Sequence, residues 1–155
     1  RDAVNYAWNE GVVLVAAAGN DGNNTKIYPA SYPNVISVAA TDYADARASF
    51  SNYNNEVDVA APGVNVFSTF PSYKFYIGTV SGRARYYDVG SGTSMATPQV
   101  AGLAGLLFAQ NPTRSNAAVR NIIETTANDL GNLNRDDYFG NGRINVFDAL
   151  SYPTP

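Results

Sequence analysis

A glycine-rich turn runs into an alanine-rich helical pattern at Gly92-Thr93-Ser94-Met95-Ala96-Thr97-Pro98. A serine in a first helical turn sits in the positive field of the helix, beside backbone amides that lack an intrahelical acceptor. Such amides can stabilise a developing oxyanion, which makes Ser94 a candidate nucleophile for acyl transfer. The same residues also suit an ordinary helix start, in which Thr93 or Ser94 accepts amide hydrogen bonds and Pro98 occupies the early turns. A second segment, Ala16-Ala17-Ala18-Gly19-Asn20-Asp21-Gly22, follows an apolar run at the strand end where α/β sheets place their ligands. Asn20 there can offer a side-chain amide to an oxyanion, or can simply serve a turn.

The base such a serine needs is missing. The 155 residues include no histidine and no cysteine. An imidazole base supplied from within this chain is therefore excluded, as are thiol nucleophiles, disulfides and cysteine-held metals. Thirteen acidic side chains stand against ten basic ones, and Lys26 and Lys74 are the only lysines. That balance argues against binding a nucleic-acid backbone. No apolar run reaches membrane-spanning length. The chain opens inside a helical pattern, with Val4, Ala7 and Trp8 at helical spacing, which is expected of a fragment or a processed chain.

The elements that must hold the two segments can be read from the pattern. Arg1 to Glu10 ends a helix, stopped by Gly11. Val12 to Ala18 and Val35 to Ala40 read as strands buried on both faces, and Val57–Ala60 and Val64–Thr69 as two more around the Pro62-Gly63 turn. Residues 70–90 are aromatic and polar and predict a β-hairpin excursion. A helix follows from Thr93 to Gln110, with small residues on nearly all sides, so it should be buried all round. Ser115 caps another helix to about Ala127, and a turn-rich tail leads to a short closing helix over Val146–Tyr152. A helix before the first strand and crossovers between buried strands predict an α/β fold with a mostly parallel sheet flanked by helices.

Taken together, AAAGNDG and SGTSMATPQVAGLAGLL resemble the oxyanion segment and nucleophile helix of the subtilisin family, the subtilases. Tyr28-Pro29-Ala30-Ser31-Tyr32-Pro33-Asn34-Val35-Ile36-Ser37-Val38, then Asp58-Val59-Ala60-Ala61-Pro62-Gly63, then Gly142-Arg143-Ile144-Asn145 are similar to family segments in the same order. The resemblance covers essentially the whole chain, 1–155, but only about the C-terminal half of the family's catalytic domain. It implies part of a subtilisin-like sandwich whose central buried helix carries the nucleophile.

The resemblance implies a serine endopeptidase acting on polypeptides, with Ser94 as the acylated nucleophile. Asn20 and the Ser94 N–H would form the oxyanion hole. In this family the triad aspartate and histidine precede the asparagine, so both would lie upstream of Arg1, on an N-terminal partner half of the same domain. In subtilisin itself, loss of the base costs roughly 10⁶-fold in turnover and loss of the asparagine roughly 10²–10³-fold. This chain alone is thus expected to be inactive, and its unpaired strands to expose an apolar sheet edge. Ala17, Ala18, Gly19 and Thr93 would contact substrate, and Ile27, in the Lys26–Tyr28 loop, would narrow the primary pocket. The carbonyls of Ala30, Tyr32 and Val35 match a weak cation site of the family, which suits structural calcium, although a plain loop turn explains them equally. The family also implies secretion.

Other features have blander readings. Asn132, Asn134, Asp136 and Asp137 lack an EF-hand's spacing and read as a solvated loop. Gln99 stands where the family usually has a histidine that is not a triad member. Oxidation of Met95, the single methionine, would crowd Ser94. The excursion at 70–90 is longer than in compact relatives and would sit beside the nucleophile. Of the alternatives, a sedolisin-like peptidase would carry an aspartate where Asn20 stands. A lipase-type elbow would need a downstream histidine, and a serine–lysine dyad would need Lys26 or Lys74 near Ser94. A catalytically incomplete half that serves as a scaffold remains the non-enzymatic alternative.

Overall fold

The structure is a computed structural model that describes residues 1–153. Its elements run α1 (Asp2–Asn9), β1 (Val15–Ala17), β2 (Ile36–Thr41), β3 (Val59–Pro62), β4 (Val66–Thr69), α2 (Tyr76–Ser81), β5 (Tyr87–Gly90), α3 (Thr93–Gln110), α4 (Asn116–Thr125) and α5 (Val146–Ser151). β1, β2 and β3 form a parallel sheet in that order, with Val15 opposite Ile36 and Val38 opposite Val59. This is the expected α/β architecture, with α3 packed across all three strands.

β2 is central and buried at every residue, which is why its sequence is a continuous apolar and small run. Ile36, Val38 and Ala40 join Val59 and Ala61, and Ala96, Val100, Leu103 and Leu107 of α3, in one core. The outer side of β3 is closed by the tail, where the Ala60 N–H donates to Gly142 O and the Ile144 N–H to Ala60 O. Asp58 braces β3 to β2 through the Ser37 N–H at 2.8 Å, and Arg120 of α4 reaches Asp58 at 2.7 Å and Glu124 at 2.6 Å. Ser115 caps α4 by accepting from the Ala118 N–H.

Three expectations are corrected. The strand within Val12–Ala18 covers only Val15–Ala17 and is half-buried, because β1 is the sheet's edge and pairs on one side alone among the described residues. α3 spans the expected residues but is not buried all round. Ala101, Gly102, Gly105, Leu106 and Ala109 form an exposed stripe, and a Cβ on either glycine would meet nothing within 4 Å. The apolar run Val64–Thr69 does not extend the parallel sheet. Its strand β4 instead pairs antiparallel with β5, Val66 opposite Gly90, and the short helix α2 lies between them where a hairpin alone was expected.

Burial pushes the Asp58 carboxyl up from 3.8 to about 6, against the opposing pull of Arg120. Between those two values the folded protein holds a proton that the unfolded chain releases, so this group's contribution to stability falls as pH rises through the window. In the full-length protein, the unfolding free energy relative to the Asp58→Asn variant should therefore decline from 3.8 to about 6 and then level off. Chemical denaturation across that range checks the sign, and a difference that rises with pH contradicts it.

Candidate active site

The two candidate segments, distant in sequence, meet in space. Asn20 lies just past the end of β1, and its Oδ1 accepts from the Thr93 N–H at 2.8 Å and from Thr93 Oγ1 at 2.9 Å. α3 is thus capped by a side chain 73 residues away rather than by its own serine or threonine. This displaces the simple capping reading of Thr93 and Ser94. Of the first-turn amides, Thr93 donates to Asn20, and Met95 and Ala96 donate to Gly92 O. The Ser94 N–H is left without a protein acceptor among the described residues.

With its oxygen committed to Thr93, the Asn20 side chain presents its NH₂ group, and the exposed Ser94 side chain sits one residue beyond Thr93 on the first turn. Gly92 makes the entry possible. Its φ of 153° is awkward for side-chain-bearing residues, and its N–H donates to Gly63 O at 2.8 Å. Pro98 has no N–H to offer the Ser94 carbonyl, so that end of the helix is held by side chains. Thr97 Oγ1 donates to Thr93 O, and Gln99 Nε2 donates to Pro62 O at 2.6 Å and to Met95 O at 3.1 Å.

The sequence reading missed Asn52. It is fully buried, and its Oδ1 accepts from the Asp21 N–H at 2.8 Å. Its own N–H donates to Gly19 O at 2.9 Å and its Nδ2 to Thr25 O at 3.3 Å. One side chain and its backbone therefore hold the chain on both sides of Asn20. No motif marks this asparagine, because its role depends on a contact 31 residues away. Gly19 lies against it at φ 114°, where a Cβ would run into the Asn52 amide and stand 2.9 Å from Ile27 Cγ1. Half-buried Ile27 thus packs against Gly19, which directly precedes Asn20.

A separate cleft of about 460 Å³ opens beside Ser94, between Met95 and Pro98 of α3 and Val66, Phe70, Pro71 and Phe75 of the excursion. Lys26 pairs with Glu56 at 2.7 Å, and Lys74 faces a different cleft, so neither lysine is brought to Ser94. Ala30 and Val35 are buried, and the Tyr32 carbonyl accepts the Val35 N–H at 3.0 Å. These carbonyls suit calcium in chemical type but carry no charge, and no group of three or more acidic side chains able to hold a metal occurs among the described residues. In the 132–137 loop, Asp136 accepts from the Asn132, Tyr138 and Phe139 amides, so the cluster is a hydrogen-bonded turn.

A parallel α/β sheet thus carries an exposed serine on the first turn of its central helix, next to a fixed asparagine amide, an arrangement suited to stabilising an oxyanion. The profile of the Subtilase family (Peptidase_S8) matches residues 1–142, and the chain belongs to that family. It is 47% identical over 98% of its length to thermitase from Thermoactinomyces vulgaris, covering 49% of that protein. It is 49% identical to a thermophilic serine proteinase from Bacillus sp. (strain AK1), covering 34% of it. The chain thus spans half or less of the length of these relatives. Among solved structures, a lanthipeptide protease superposes with a TM-score of 0.84 at 28% identity, over 97% of this chain and 53% of the other. A psychrophilic subtilisin-like protease from Pseudoalteromonas sp. AS-11 shares the fold at a TM-score of 0.85 and 21% identity, over 97% of this chain and 66% of the other.

Asn52→Ala should loosen the Asn20 loop without touching substrate. In the full-length protein, peptidase turnover should fall roughly tenfold or more with KM nearly unchanged, as expected when only transition-state stabilisation is lost. An Asn52→Ala enzyme with unchanged kcat would show that the clamp is dispensable.

Proposed function

We propose that this chain carries the nucleophile and oxyanion half of a serine endopeptidase. The observation that supports it best is the Asn20–Thr93 pairing, which leaves two donors, the Asn20 amide and the Ser94 N–H, beside one exposed hydroxyl. In this reading Ser94 Oγ attacks a peptide carbonyl carbon, and the carbonyl oxygen takes the charge between those two donors. The Ser94 proton passes to a base and from it to the departing amine. Water then attacks the resulting ester, its proton goes to the same base, and the acid is released as Ser94 regains its proton.

The base and its orienting carboxylate are assigned to a partner segment, the N-terminal half of the same catalytic domain. The exposed small-residue stripe of α3 and the open edge of β1 are the surfaces it would cover. Ala17, Ala18, Gly19 and Ile27 would border the acyl-side substrate residue, and Thr93 acts by orienting Asn20. In this reading substrates are polypeptides, and the likeness to the subtilisins supports secretion. Calcium at the Ala30, Tyr32 and Val35 carbonyls is a separate and weaker proposal, since neutral oxygens hold the ion loosely. A chelator should lower the melting temperature of the full-length protein slightly and reversibly, and an unchanged melting temperature removes the ion.

A fluorophosphonate probe should label Ser94 in the full-length protein and leave this chain alone unlabelled. Ser94→Ala should abolish both labelling and turnover, and Asn20→Ala should lower kcat roughly 10²–10³-fold. A full-length protein that resists the probe and cleaves no peptide would be a scaffold and would overturn this reading.

A further inference from the structure

Three cations face one cleft on the excursion. Lys74, Arg83 and Arg85 line a cavity of about 320 Å³ together with Phe75, Gly78 and Thr79. None of the three forms a salt bridge among the described residues, where the other ion pairs are Lys26–Glu56, Asp58–Arg120–Glu124 and Asp45–Arg143. The only carboxylate within 70–90 is Asp88, whose two oxygens accept from the Ala84 and Val89 amides at 2.7 Å each and whose charge is felt by Arg83 of the three cations. Arg83 is fixed by donating to Val89 O of β5, while Lys74 and Arg85 are exposed. A chain of net charge −3 has therefore gathered three of its ten basic side chains around a single small cavity.

Its position gives that charge a use. Phe75 is the shared wall between this basic cleft and the apolar cleft beside Ser94. The apolar cleft holds Ser94 but no residue of the 17–27 segment, so the two are separate surfaces beside one hydroxyl. A peptide crossing Ser94 would meet Met95, Pro98 and Phe70 first and the cations beyond Phe75 next. Gly78 keeps the wall close, since a Cβ there would collide with the Phe75 ring.

We propose that the excursion is a leaving-side subsite that selects substrates with an apolar residue after the scissile bond and a carboxylate further along. The inference rests on the peptidase reading above and names its substrate class. A cavity of this size with an aromatic wall suits one carboxylate better than a polyanion, which would need an extended basic track. The rest of the chain is acidic, so the cleft supplies local attraction against a repelling background.

The test uses the full-length protein and peptides that carry one glutamate, or alanine, at each successive leaving-side position. Glutamate at one position should raise kcat/KM about three- to tenfold over alanine, the range for a few exposed charge pairs, and the ratio should shrink as salt rises. In the Lys74→Ser/Arg85→Ser variant the ratio should approach one. In Lys74→Glu/Arg85→Glu it should invert in favour of lysine. Cleavage with no glutamate preference at any position overturns the proposal, as does a preference that survives the variants. Salt-sensitive retention on heparin without glutamate preference would assign the cleft to polyanions and overturn it as well. Failure to cleave any peptide overturns the peptidase reading, and this proposal falls with it.

Discussion

The site is organised by one hydrogen-bonded pair, Asn20 Oδ1 accepting from both donors of Thr93. Each such bond contributes only about 0.5–1.5 kcal/mol net, so the pair matters for geometry more than for stability. It caps the central helix, ties the β1 loop to α3, and turns the asparagine so that its NH₂ is available. It also uses up the Thr93 N–H, which leaves the Ser94 N–H as the open amide of the turn. A serine capping its own helix would have spent its oxygen on a backbone amide and lost its freedom to react.

That pair holds only because its two ends are fixed independently. On the strand side, Asn52 grips Gly19, Asp21 and Thr25 from the interior. On the helix side, Gln99 anchors α3 to the Pro62 carbonyl, and Gly92 to the Gly63 carbonyl. Both sides are referred to the same buried strand, since α3 packs on β2 and β1 pairs with it. A polar network of this kind is rigid only when its buried members have partners, and the backbone N–H, Oδ1 and Nδ2 of Asn52 each have one. The excursion from 70 to 90 stands outside this frame, joined to it through the β4–β5 ladder.

Much of this was legible in the residues. The ends of α3, the Ser115 cap and the buried β2 run were readable because helical period, capping chemistry and continuous burial each leave a local mark. The shortness of β1 was not, because an apolar run reads alike whether its strand is central or an edge. The exposed side of α3 was hidden for a related reason: small residues read alike on a close-packed helix face and on a bare one. α2 was missed because a six-residue helix among aromatics carries too short a period to register.

The residue types alone determined the chemistry available: a helix-start serine, a strand-end asparagine, and no imidazole anywhere in the chain. Those are properties of composition and local spacing, and the motif order was enough to suggest the family. Only the tertiary structure decided which way Asn20 turns, which amide stays open and that Asn52 holds the chain on both sides of Asn20, because each depends on partners tens of residues apart. Only it placed three cations and one aromatic wall beside the cleft that Ser94 lines. Hydrogen-bond direction and charge proximity are set by packing distance, and no one-dimensional pattern records that.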